Sequence, residues 1–144
     1  TTSVLSASAE ASLQLYRFLP PTPVRLCLDA KNQPVEKQFE QLFKVKRKIA
    51  IQLLQALADP ITAGVEASLK LGHADLAEQQ SIALNAMQSE LSGEIARLRS
   101  LQKTNPSIRD EEINFIEEQM ATLTNIISNA EPYLDSLRVV VNNP

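Results

Sequence analysis

The chain has 144 residues, a length suited to one domain. Its 44% apolar content excludes bulk disorder, and with 4% aromatics and no Trp any core must be built from Leu, Ile, Val and Ala. A net charge of −3 gives no global pull toward nucleic acid, and no apolar run is long enough to span a membrane.

Residues 1–11 are small and polar, without the basic and apolar segments of a signal peptide. The chain starts with Thr1 rather than Met, which reads as a cut from a longer protein. Leu13, Leu15 and Arg17 alternate with Gln14, Tyr16 and Phe18, and that period of two predicts a short strand. Pro20, Pro21 and Pro23 then make a stiff connector, because each fixes φ and removes a donor. Val24–Asp29 reads as a second strand and Lys31–Pro34 as a turn. Cys27 is the only cysteine, so no internal disulfide can form; a buried thiol in a reducing compartment is expected.

From Val35 the period becomes helical, with Val35, Phe39, Leu42, Phe43, Ile49, Ala50, Leu53, Leu54 and Leu57 on one face. Asp59 and Pro60 look like an N-cap and first helical residue. The helix they open runs to Leu71, where Gly72 either ends it or sits inside a longer one. Over 73–134 the pattern is that of a helical hairpin. Leu84, Met87, Leu91, Leu98 and Leu101 keep a three-four spacing that Glu94 interrupts, and Thr104-Asn105-Pro106 breaks the helix. Ser107 and Asp110 approximate a capping box, and Asp110, Glu111 and Glu112 suit a first turn. Ile113, Ile116, Met120, Leu123, Ile127, Ala130 and Leu134 form a heptad seam, with Pro132 expected to kink or stop the helix near Ser128. Ser136–Val141 is β-branched and predicts a terminal strand pairing with Val24–Asp29. The expected fold is therefore α+β and predominantly helical. It has strands and connector over 12–34, helices over 35–72, a long antiparallel helical hairpin over 73–134, and a small antiparallel sheet at its base.

The residues carry no catalytic constellation. The three glycines all lie in helical patterns, so no phosphate-binding loop is present, and one His (His73) with one Cys makes no metal site. Glu111/Glu112 and Glu117/Glu118 are sequence neighbours that point about 100° apart on a helix, so neither pair shares a site. Met87 and Met120 read as core filler. Two basic groups remain. Lys44, Lys46, Arg47 and Lys48, with Lys37 on the face of Lys44 and Lys48, are either a contact for phosphate or an acidic partner, or a solvated helix face holding a Glu40–Lys44 pair. Arg97, Arg99, Lys103 and Arg109 gather at the hairpin tip with the same two readings. Phe115 and Ile126, off the seam, are candidate docking residues.

Three stretches carry a family resemblance: Arg17–Arg25 around the prolines, Leu98–Ile113 around Asn105-Pro106-Ser107-Ile108-Arg109, and Leu134–Val141 beginning Leu134-Asp135-Ser136-Leu137-Arg138. In this order they resemble the C-terminal region of the RapA family of bacterial RNA polymerase-associated, SWI/SNF-type ATPases, from about Leu13 to Val141. Pro132-Tyr133 departs from the family pattern, and residues 36–80 are similar only in length and pattern. The resemblance implies a parent that couples ATP hydrolysis to remodelling of transcription complexes and helps recycle polymerase. Its ATPase motifs, with bound ATP and magnesium, would lie in upstream lobes. This segment would be a non-catalytic accessory domain without cofactor, packing against those lobes or positioning the parent on RNA polymerase core, DNA or RNA. The location implied is the bacterial cytoplasm, near the nucleoid. The alternatives are a coiled-coil adaptor that self-associates through the heptad, and a nucleic-acid-binding module using Lys44–Lys48; an independent enzyme ranks last.

Overall fold

The computed structural model describes residues 14–36 and 42–141; Leu13, Lys37, Phe39 and Glu40 fall outside them. Among the described residues there are four helices, α1 (Leu15–Phe18), α2 (Arg47–Ala56), α3 (Ala58–Gln102) and α4 (Asp110–Ser128), and no sheet. They fall into two compact units, one of residues 14–22 and 75–131, the other of 23–36, 42–74 and 132–141.

The first unit is an antiparallel helical hairpin closed by a buried seam. Ile95 and Leu98, late in α3, cluster with Ile113, early in α4. Ala83 and Met87 cluster with Leu123 and Ile127, so the helices run in opposite directions. Met87, Leu123 and Ile127 are its largest fully enclosed side chains. On α4 the three-four spacing falls on the seam as the heptad predicts. On α3 the seam runs through Ala83, Met87, Leu91, Ile95 and Leu98, so Ile95 fills the gap that Glu94 leaves, and Leu101 is exposed.

The turn has identifiable causes. Leu101 O accepts the Asn105 N–H at 2.8 Å and the Thr104 N–H and hydroxyl at 3.0 Å, which closes α3. Asn105 Oδ1 accepts the Ser107 N–H at 3.0 Å, leaving Ser107 in the loop rather than at the cap. The residue before α4 is Arg109, whose side chain has no acceptor to offer; only Glu112 Oε1 reaches back to its N–H, at 3.4 Å. The three acids of the first turn complement the helix dipole instead. α4 stops at Ser128, the residue whose carbonyl the Pro132 ring would meet in a continuing helix. Leu134, expected on the seam, is therefore outside the helix and exposed. The Gln80 side-chain amide, from α3, donates to Ile127 O at 2.7 Å and Ala130 O at 3.1 Å, adding to the Ala130 N–H that Ile127 O accepts at 3.3 Å.

The strand expected over 13–18 is a helical turn where it is described. Leu15 is buried in the Ala83–Met87–Leu123–Ile127 cluster, with Phe18 and Leu19 packed beside it. Spacings of three and four join those three residues, so a helical face was also present in the alternating pattern. Arg17 pairs with Glu90 and lies over the Phe18 ring, 5.6 Å from its centroid.

In the second unit the expected sheet is absent. Val24–Asp29 contributes one isolated antiparallel bridge, Leu28 to Pro34, and residues 136–141 make no backbone hydrogen bond to another described residue. The bridge is closed by the Val35 N–H on Cys27 O at 2.9 Å and the Asp29 N–H on Gln33 O at 3.0 Å, and Pro20, Pro21 and Pro23 strip donors from the approach to Val24. Between the bridged residues, Asp29 Oδ1 accepts the N–H groups of Lys31 and Gln33 at 2.8 and 2.9 Å. Asn32 takes the left-handed φ of 59° that Asn tolerates. α2 begins at Arg47, not Val35, with Leu42–Lys46 non-helical. Leu57 separates α2 from α3, and Pro60 sits in the first turn of α3, where its missing N–H costs nothing. Gly72 lies inside α3; a Cβ there would stand 3.5 Å from Pro132 Cβ, an ordinary contact.

Two stability measurements test this packing. Gly93 is mid-helix with nothing within 4 Å of an added Cβ. Gly93→Ala is therefore expected to raise the unfolding free energy by about 1 kcal/mol in urea titration. Leu123→Ala empties a fully enclosed position and is expected to lower it by about 2–5 kcal/mol.

Candidate functional site

The four residues of the basic run are all exposed, but they do not share a helix face. Lys44 lies in the non-helical approach, Lys46 is the cap residue of α2, and Arg47 and Lys48 open the helix. The first turn of α2 contains no acid, and the Lys46 side chain makes no cap. The cations therefore sit beside the positive end of the helix dipole, an arrangement that repels them and favours an anion. None of the four forms an ion pair among the described residues.

The tip residues divide into two pairs. Arg97 is held along α3 by Glu94, with guanidinium contacts of 2.8 and 2.6 Å. Arg99 reaches across the hairpin to Glu117 at 2.5 Å, bracing α3 against α4. Lys103 and Arg109, on the loop, form no ion pair among the described residues. The loop between them is fixed in part by Gln102, whose amide donates to Asp110 Oδ1 at 2.7 Å. Of the two off-seam apolar residues, Phe115 is 64% exposed, whereas Ile126 packs against the core and offers no docking surface.

Among the described residues, the titrating groups with a resolved shift are Asp29, Glu94 and Arg97. Asp29 is held below the ordinary carboxylate value by the backbone N–H groups of Gln33 and Lys31. Glu94 is held down by its hydrogen bonds from Arg97, whose own pKa is raised in return. Both carboxylate shifts come first from local hydrogen bonds rather than from burial. Among the described residues no group of three His, Cys, Asp or Glu is placed to hold a metal ion. His73 is exposed inside α3, away from either helix end, and Cys27 is half-buried. A hollow of about 320 Å³ in the first unit lies open beside α1, lined by Arg17, Phe18, Glu90, Glu94 and Gln119 among others. No helix is long and apolar enough to cross a membrane among the described residues.

Comparison with known proteins decides the family. The profile described as "RNA polymerase recycling family C-terminal" matches residues 1–142. The chain belongs to this family. Its relatives include the RNA polymerase-associated protein RapA of Vibrio campbellii, 37% identical over 143 residues that make up 95% of this chain and 15% of that protein. The RapA proteins of Vibrio atlanticus and Photobacterium profundum are 36% and 35% identical over 96% of the chain. The chain thus spans about 15% of the length of the RapA proteins it matches. The RapA-like motif around Asn105-Pro106 is the hairpin turn itself, so one of the three stretches that carry the resemblance also shapes the loop bearing Lys103 and Arg109. Gln80, Leu15 and Phe18 had no such signal, since a lone amide and a short N-terminal turn look like ordinary surface in sequence.

The Arg97–Glu94 bond makes a pH-dependent prediction. A lowered carboxylate pKa means that the bond contributes stability above the unfolded-state pKa and loses it as pH falls through the folded one. Replacing Arg97 by Gln is expected to move the Glu94 carboxyl titration, followed by NMR, upward toward the ordinary glutamate value.

Proposed function

We propose that the chain is the non-catalytic C-terminal accessory domain of a RapA-like, RNA polymerase-associated ATPase, and that it works by positioning the parent protein. The family match over residues 1–142 carries this reading, and the relatives' own name supplies the partner. ATP and magnesium would be bound by lobes elsewhere in the parent, which would work in the bacterial cytoplasm where polymerase is found. Within the domain, the hairpin offers a stiff surface at its tip. Arg97 and Arg99 are spent on bonds within the chain, so Lys103 and Arg109 are the cations left for a partner. Lys103 and Arg109 would take carboxylates of the partner, with the acids Asp110, Glu111 and Glu112 of the first turn of α4 beside that contact.

Self-association through the heptad is a poor rival, because the seam that would meet a second chain is already filled by Met87, Leu123 and Ile127.

The reading is tested by capture of RNA polymerase core on the immobilised chain, with the ATPase lobes offered separately. Polymerase is expected to bind, and Lys103→Glu with Arg109→Glu to weaken binding about tenfold or more, as charge reversal at a complementary contact does. Charge reversal at Lys44 and Lys48 is expected to leave it unchanged. Capture of the ATPase lobes alone would move polymerase recognition elsewhere in the parent. Binding that survives the tip reversal but is lost at Lys44 and Lys48 would transfer the contact to the start of α2.

A further inference from the structure

Every buried residue of the structure lies in the first unit; among the described residues of the second, none is buried. That unit is nevertheless rich in large apolar side chains. Phe43 is 85% exposed and Tyr133 82%, and Val45, Ile49, Leu54, Leu134, Leu137 and Val141 are also uncovered. The backbone shows the same lack. Residues 131–141 make no backbone hydrogen bond to another described residue, although Val139, Val140 and Val141 are the β-branched residues least suited to remaining a solvated loop. Free proteins rarely leave such surface open, because apolar side chains beside unpaired backbone invite aggregation.

We propose that the segment Leu134–Val141 docks permanently against the rest of the parent polypeptide, outside these 144 residues. The inference rests on the reading of the chain as a C-terminal accessory domain. Three observations select this occupant. The relatives are far longer, with about 85% of their length outside the match, so a covalently attached surface is available in quantity. The uncovered residues are mostly aliphatic, the composition of an obligate interface, whereas intermittent partners meet surfaces no more apolar than average. A tethered partner is always present at high effective concentration, so the segment is never exposed while the parent is free of polymerase. The receiving surface must be apolar, with backbone N–H and C=O groups to meet those of 134–141 and an acid within reach of Arg138.

Hydrogen exchange of the 134–141 amides, compared between this chain and the full-length parent without polymerase, tests the proposal. Exchange is expected to slow at least about tenfold in the parent. Val139→Asp in the parent should return it to the rate of the short chain, while Phe115→Asp should not. Equal rates in the two proteins would overturn the proposal. So would protection of the short chain that grows with its concentration, which would assign the surface to a second copy. Protection of the parent that appears only after polymerase is added would overturn it in favour of polymerase. The tip variants Lys103→Glu and Arg109→Glu leave this protection untouched, so failure of polymerase capture and failure of docking are separate results.

Discussion

Met87 packed against Leu123 and Ile127 is the contact on which the first unit depends. A helix the length of α4 gains little from its own hydrogen bonds in water, and its stability comes from burying one face. The seam provides that burial with few aromatic residues, by interleaving Ala83, Met87, Leu91, Ile95 and Leu98 with Ile113, Ile116, Met120, Leu123 and Ile127. The other features of the first unit follow from it. Leu15 and Phe18 have a surface to pack on only because the two helices form one, and Arg99 finds Glu117 only because the helices are antiparallel.

The same seam accounts for how the surface charges are distributed. Near the tip the helices are narrow enough for side chains to cross, so Arg99 is drawn into the hairpin, and Arg97 is drawn along its own helix to Glu94. These bonds are exposed and individually weak. Their effect is selective: they engage the cations on the helix walls and leave Lys103 and Arg109, on the connecting loop, without an ion pair among the described residues, next to the acids Asp110, Glu111 and Glu112.

Where burial decides structure, the sequence was a good guide, and where it does not, propensity misled. The α4 heptad was legible because each step of three or four lands on a buried contact. Ile95 was hidden by its neighbour Glu94, since a charged residue at the expected position looks like a break rather than a one-residue shift. The sheet failed because β-branched content measures fitness for a pleated surface, not the presence of a partner strand. Val24–Asp29 finds only the short return through Gln33–Val35, and nothing among the described residues pairs with 136–141. The start of α2 was misplaced for a related reason: an apolar period through Leu42 and Phe43 marks a helical face only where something covers it, and Phe43 is bare. The tip cations were visible in sequence, but which of them are engaged depends on Glu94 and Glu117, and the second lies on the facing helix.

The Gln80 amide has a consequence for how the hairpin assembles. It joins residues 47 to 50 positions apart in sequence, whereas Arg99 and Glu117 are separated by 18 and Ser92 and Met120 by 28. Closing a loop costs more entropy as the loop lengthens. By loop closure alone, the contacts beside the Asn105-Pro106 turn are the least costly of these to form and the Gln80 bonds the most costly. Until the Gln80 bonds form, the carbonyls of Ile127 and Ala130 lack this partner, so the far end of α4 gains it only through the costliest of these closures.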